Sequence, residues 1–276
     1  MPPRIAIPMP HSFDPEYAER AIPQYERAVT LAGGEPVRVA LDQTPDAIEK
    51  IVSGCDGVLL PGSKADVDPA RYGAEHSAQT AEADARRDAV DDLLLEDAYQ
   101  LRKPVLGICY GLQSLNVFRA GSLVQHIPDF LPEETRAKVN HEAGKNVAVA
   151  HEVEIDPSSK LAGIVSAEVR GPGPDVHRPL MVPVNSSHHQ SADANKIGEG
   201  LRIVARCTDD GIIEALEGTA PDHFVLAVQW HPERSVDQDA ASRAIFRAFI
   251  DAAAANSRQQ STRSLAPASA ENPPRV

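Results

Sequence analysis

Cysteine is scarce in this chain. Only Cys55, Cys109 and Cys207 occur among its 276 residues, far apart and with no C-x-x-C pair. The odd, scattered set argues against a disulfide framework and against a Cys-rich zinc site, which need paired and closely spaced thiols. Also missing is any apolar run near the roughly 18 residues of a membrane span. The opening MPPRIAIPMP lacks the long apolar region of a secretory signal. Positive charge is in short supply: Lys and Arg total 27 against 40 Asp and Glu, for a formal net charge of −13. A surface that negative repels phosphate backbones. These absences lead to the expectation of an acidic cytoplasmic protein without nucleic-acid or membrane partners. Any thiol chemistry must come from one of three unpaired sulfurs.

What is present suffices for a sizeable core, since 42% of the residues are apolar and 24% are charged. Short apolar runs at Ile5–Pro8, Val37–Leu41, Gly57–Leu60 and Val105–Ile108 read as strands. They alternate with helical patterns over Tyr17–Ala32, Thr44–Val52 and Arg86–Leu101. Thr44 is placed to cap the second helix, with Pro45 at its first position. Fully apolar strands alternating with helices predict an α/β fold: a mostly parallel central sheet with helices on both faces. His151–Ile155, Leu201–Cys207, Ile212–Leu216 and Phe224–Trp230 add a smaller antiparallel portion in the second half. A helix from Gln238 to about Ala255 closes a single domain spanning 1–255. The polar stretch 256–276 reads as a disordered tail.

One pentapeptide is the sharpest local signal. Gly107-Ile108-Cys109-Tyr110-Gly111 has the G-x-S-x-G shape of a nucleophile elbow, with Cys in place of Ser, at a predicted strand-to-helix junction. The glycines keep side chains from colliding where the turn crosses its neighbours, and the N-terminus of the following helix favours thiolate at Cys109. The alternative is a small buried hydrophobe at a strand end. A thiol nucleophile needs a base and the base an orienter. In Gln229-Trp230-His231-Pro232-Glu233, at the end of an apolar strand, His231 and Glu233 stand two apart, so extended backbone turns both to one side. Leu59-Leu60-Pro61-Gly62-Ser63 is a strand entering a turn whose amides, with that of Tyr110, could receive an oxyanion. Taken singly, the turn is only a turn and the His a solvated strand end.

Together GICYGLQ, VQWHPE and LLPGS resemble the class I glutamine amidotransferase superfamily, whose chain order Cys…His…Glu they share. DGVLLPGSKADVDPARYG, Arg87-Asp88, LNVFRAGSLVQHI and VNSSHHQ are similar to segments of the gamma-glutamyl-gamma-aminobutyrate hydrolase (peptidase C26) family within it. The resemblance implies a flavodoxin-like fold, with Cys109 as nucleophile, His231 as acid/base and Glu233 as its orienter. It implies backbone amides of Gly62, Ser63 and Tyr110 around the oxyanion. Gln113, His189 and Gln190 would line the substrate pocket, and Asp66, Asp68 and Tyr72 would shape its wall. His188-His189 otherwise reads as a polar loop, or as half of a metal site lacking its other ligands. With no H-E-x-x-H in the chain, neither metal nor cofactor is expected.

The implied activity is hydrolysis of a small γ-glutamyl amine, such as γ-glutamyl-γ-aminobutyrate of putrescine breakdown, through a Cys thioester that releases glutamate. The family also admits a homodimer. Two departures stand out: Tyr110 replaces the Arg usual after the nucleophile, and Gly62-Ser63 replaces a glycine pair. Tyr110 is more typical of the amidotransferase domains of synthases. A glutaminase subunit that supplies ammonia to a separate synthase therefore stays open, as does a non-catalytic binding protein on the same fold.

Overall fold

A computed structural model of the chain describes residues 1–170 and 179–265. The first half alternates strand and helix: β1 (Arg4–Pro8), α1 (Pro15–Leu31), β2 (Glu35–Val39), α2 (Pro45–Ser53), β3 (Gly57–Leu60), α3 (Ala85–Leu101), β4 (Val105–Ile108) and α4 (Tyr110–Phe118). After β5 (Leu123–Val124) and the single turns α5 (Ile127–Phe130) and α6 (Glu133–Arg136) come β6 (His151–Ile155), α7 (Lys160–Arg170), β7 (Leu180–Val184) and β8 (Ser191–Ala192). The chain then forms β9 (Leu201–Cys207), β10 (Ile213–Gly218), β11 (Val225–Val228) and α8 (Ala240–Leu265). Among the described residues, no helix is long and apolar enough to cross a membrane.

One nine-stranded sheet carries both halves, in the order β2-β1-β3-β4-β11-β10-β9-β6-β7. The first five strands are parallel. From β10 onward every pairing is antiparallel. The expected antiparallel portion is therefore a continuation of the parallel sheet. β3, β4 and β11 are buried at every position, as strands covered on both faces must be. Along β1 the side chains alternate: Ile5 and Ile7 join a core with Ile22 of α1, Leu161 of α7 and Phe249 of α8. Ala6 faces the opposite core, with Ile48 of α2, Leu94 of α3 and Leu112 of α4.

The α2 start follows the sequence expectation, the Thr44 side chain accepting from the Ala47 amide. β2 begins two residues before its expected start, at Glu35, and β7 and α7 were not anticipated. Helix α8 continues past the expected domain end at Ala255 to Leu265. Arg and Gln are good helix formers, and no proline interrupts the chain before Pro267. The remainder of the expected tail, 266–276, lies outside the described residues.

Candidate active site

Cys109 leaves the C-terminal end of β4 and caps α4 with φ 54° and ψ −106°. A non-glycine residue there stores about 1–3 kcal/mol of backbone strain, of the kind that collects at functional turns. The flanking glycines have the steric reason expected of an elbow. A Cβ on Gly107 would lie 2.7 Å from the Gly111 carbonyl oxygen, and one on Gly111 would overlap the Leu60 carbonyl of β3. The turn therefore runs backbone against backbone.

On the adjacent strand, β11 delivers Gln229-Trp230-His231. Cys109 N donates to Val228 O at 2.8 Å, so the elbow is tied to the start of that segment. His231 Nδ1 and Glu233 Oε1 lie 2.8 Å apart, with both residues buried. This bond sets Nδ1 as the donor and leaves Nε2 with its lone pair, and Nε2 has no hydrogen-bond partner. Asn185, from the VNSSHHQ segment, clasps the His231 backbone from both sides: its Oδ1 accepts from His231 N and its Nδ2 donates to His231 O, each at 2.9 Å. Arg234 NH1 donates to Ser187 Oγ at 2.9 Å, a second tie between the same segments.

The turn after β3 is held from behind. Arg87, fully buried, donates from Nε to Asp91 Oδ1 at 2.7 Å and from NH2 to Pro61 O at 2.7 Å. Gly62 N donates to the buried Tyr25 hydroxyl at 3.1 Å. Of the three amides expected to face an oxyanion, that of Gly62 is thus already engaged. The residues carrying the Ser63 and Tyr110 amides both line the pocket. The Tyr110 hydroxyl donates to Asp88 Oδ1 at 2.6 Å, and its ring lies under the Arg87 guanidinium. The side chain that departs from the family pattern is therefore anchored in the fold.

A pocket of about 260 Å³ brings Cys109, Gln113, His189, His231, Ser63 and Asp66 together. It lies near the lower end of the range for small-ligand sites, about 300 Å³. His189 Nε2 pairs with Asp66 Oδ1 at 3.1 Å. Gln113 Nε2 reaches Gln190 O and Gln229 Oε1, both at 3.4 Å. Gln190 is not among the residues lining the pocket; its carboxamide donates to Gln125 O at 3.2 Å. Asp68 caps the short turn Pro69–Tyr72, and Tyr72 is buried in a small cluster with Val67 and Tyr110.

Burial governs the charges. It pushes the Cys109 thiol up to about 12, although Arg234 and the Tyr110 amide pull the other way. Burial also holds His231 below its ordinary value, against the opposing pull of Glu233. Burial thus opposes the helix-end preference for thiolate and favours the neutral forms of both thiol and imidazole. Tyr25, Arg87 and Asn185 could not be assigned these roles from the sequence. Each acts on a backbone group distant in the chain; the Arg87-Asp88 and VNSSHHQ segments signalled two of them, and nothing signalled Tyr25.

The Peptidase C26 sequence profile matches residues 8–233 of this chain. A Mycobacterium tuberculosis protein named "Putative glutamine amidotransferase Rv2859c" is 37% identical over 238 residues, 86% of this chain and 68% of that protein. The gamma-glutamyl-gamma-aminobutyrate hydrolase PuuD of Escherichia coli K12 is 33% identical over 235 residues, covering 83% of this chain and 84% of the hydrolase. Among solved structures, the Trypanosoma brucei CTPS glutaminase domain with bound acivicin superposes with a TM-score of 0.57 at 21% identity, over 91% of this chain and 94% of that one. That likeness bears on the α/β fold, which is of the glutamine amidotransferase type. The profile match and these identities show that the chain belongs to the Peptidase C26 family of glutamine amidotransferase-like proteins.

Proposed function

We propose that the chain hydrolyses the γ-glutamyl amide bond of small γ-glutamyl amines, γ-glutamyl-γ-aminobutyrate among them, through a thioester on Cys109. Family membership supports an amide-bond hydrolase or amidotransferase in general. The observation that carries the narrower reading is a strained strand-end cysteine sharing one pocket with His231, which follows the neighbouring strand and is bonded to the buried Glu233. In this mechanism His231 Nε2 takes the thiol proton as Sγ attacks the γ-carbonyl, and Glu233 stabilises the imidazolium. The amides of Ser63 and Tyr110 receive the oxyanion. The imidazolium then protonates the departing amine, and a water activated by the same nitrogen releases glutamate. Lys64 and Arg234 also line the pocket and suit a substrate that carries carboxylates.

The pH profile of kcat/KM tests the proton inventory. Protonated His231 cannot accept, and burial favours its neutral form. The acid limb is therefore expected to be centred below 6.5, with a plateau through neutrality because the thiol ionises only near 12. Glu233→Gln removes the carboxylate that favours imidazolium. The limb should move further toward acid and the plateau fall by about 10²-fold or more. An acid limb that stays in place in Glu233→Gln would contradict the assignment of His231 as base.

The departure at Tyr110 favours one other reading, a glutaminase subunit serving a synthase. Kinetics on γ-glutamyl amides that differ only in the amine separate the two. Release of glutamate by the isolated chain, faster from γ-glutamyl-γ-aminobutyrate than from glutamine, is the expected result. Glutamine hydrolysis that appears only when a partner protein is added would overturn the hydrolase reading.

A further inference from the structure

Three histidines and a glutamate outside the catalytic pair converge in the interior. His141, His151 and His188 are 5%, 6% and 4% exposed, and Glu214 is 0% exposed. Glu214 Oε1 lies 3.4 Å from His141 Nδ1, from His151 Nε2 and from His188 Nε2. None of these atoms has a hydrogen-bond partner. The residues come from four segments: a loop, the first residue of β6, the loop after β7, and a bulge in β10 between Ile213 and Ala215. Bulges redirect side chains, and this one turns a carboxylate inward.

The distances separate two explanations. A charge-assisted hydrogen bond between imidazolium and carboxylate is about 2.7–2.9 Å long, so three contacts at 3.4 Å are poor hydrogen bonds. Two ligand atoms each about 2.0–2.1 Å from one tetrahedral zinc ion stand about 3.4 Å apart. All the candidate ligand atoms lie within 4.8 Å of one another. The outward nitrogens fix the tautomers. His141 Nε2 meets Asp210 Oδ2 at 2.8 Å, His188 Nδ1 meets Gln190 O at 2.9 Å, and His151 Nδ1 approaches Glu152 O at 3.4 Å. A ring that donates outward presents a lone pair inward, the arrangement that orients metal-bound histidines.

We propose that His141, His151, His188 and Glu214 bind a divalent transition-metal ion, zinc by preference. Three imidazoles and one carboxylate form a closed, four-coordinate set with no position left for a reacting water, so the ion's role is structural. The sequence reads His188-His189 as a polar loop or as half of a metal site and leads to no expected metal; the fold brings His141, His151 and Glu214 to His188. The ion would fasten the loop bearing Ser187, His188 and His189, all of which line the catalytic pocket, to strands β6 and β10. Two bonds already join that loop to the His141 loop, His188 N and Ser186 Oγ both donating to His141 O. The clamp is independent of the amide chemistry proposed above.

The untagged full chain, stripped with a chelator, reloaded with Zn²⁺ and dialysed free of loose metal, is the sample to test. Plasma mass spectrometry should find about one zinc per chain in the unaltered protein and none in His151→Ala or Glu214→Gln. Asp210→Asn should keep the site with affinity lowered by about 10–100-fold, as expected for a partner that only orients a ligand. Loading the unaltered chain with Co²⁺ should give the intense visible absorption of a four-coordinate site, a readout that stands even if a variant fails to fold. No retained zinc, equal retention in both ligand variants, or only weak six-coordinate cobalt bands would each overturn the proposal. These measurements do not depend on hydrolysis, so failure of the hydrolase reading would leave them unaffected.

Discussion

Cys109→Ala should yield a folded protein whose release of glutamate from γ-glutamyl amides has dropped by about 10⁴-fold or more, to the level of background. Removing a nucleophile that forms a covalent intermediate has effects of that size, because the remaining groups can only assist water. The fold should tolerate the change. The sulfur faces a pocket, and alanine occupies the same strained φ of 54° that cysteine does, so thermal stability should move little. A glutamine-like electrophile should label the unaltered chain once, at Cys109, and leave Cys55 and Cys207 alone. Cys55 donates its thiol to Ile51 O at 3.3 Å, and neither Cys55 nor Cys207 lines the pocket where Cys109 meets His231. Retained hydrolysis by the purified variant would end the assignment. Failure to label would revive the reading of a binding protein on this fold.

Gly111→Ala is expected to do the opposite: its first effect falls on stability, and loss of activity follows from it. The added Cβ would overlap the Leu60 carbonyl oxygen and sit 2.7 Å from Leu60 Cβ. Neither neighbour can rotate away, since one is the backbone of β3 and the other is bonded to it. The expected cost is at the upper end of overpacking effects, about 3 kcal/mol. In a chain of this size that lowers the melting temperature by about 6–12 °C. Gly163→Ala on α7 is the control. Nothing lies within 4 Å of its added Cβ, so alanine should be neutral or stabilising by about 0.5–1 kcal/mol. Melting curves that place the two variants together would remove the steric account of the elbow.

The central strands were legible because they are buried on both faces. Gly57–Leu60 and Val105–Ile108 are apolar at every position, and the expected and observed bounds coincide. The two edge strands were harder to see, and proline is the reason. Pro36 lies in β2 and Pro183 in β7, at opposite ends of the strand order. Proline reads as a strand breaker, yet at an edge it needs no ladder hydrogen bond on its open side. The site divides in the same way. The elbow and the His231–Glu233 spacing are local patterns that a linear reading can recover. The Gly62–Tyr25 bond, the Asn185 clasp and the convergence of His141, His151, His188 and Glu214 join residues far apart in the chain. No periodicity signals them.

The pairing of β4 with β11 gives the site its ruler. Ile108 stands opposite Val228 in parallel register, and the strands separate only after this last pair, so Cys109 and His231 leave from adjacent rails one strand spacing apart, about 4.8 Å. Sliding either rail by a single residue would turn every side chain on it to the other face. The strand ends from which thiol and imidazole depart are therefore spaced by a buried ladder, and the Asn185 clasp holds His231 beyond it. On the proposed mechanism, insertions at the pocket rim that spare the Asn185 clasp would alter which amine fits while leaving this spacing in place. Differences in substrate choice between this chain and its relatives should accordingly trace to the segments around Lys64, Asp66 and His189, with the four pairs of the β4–β11 register retained.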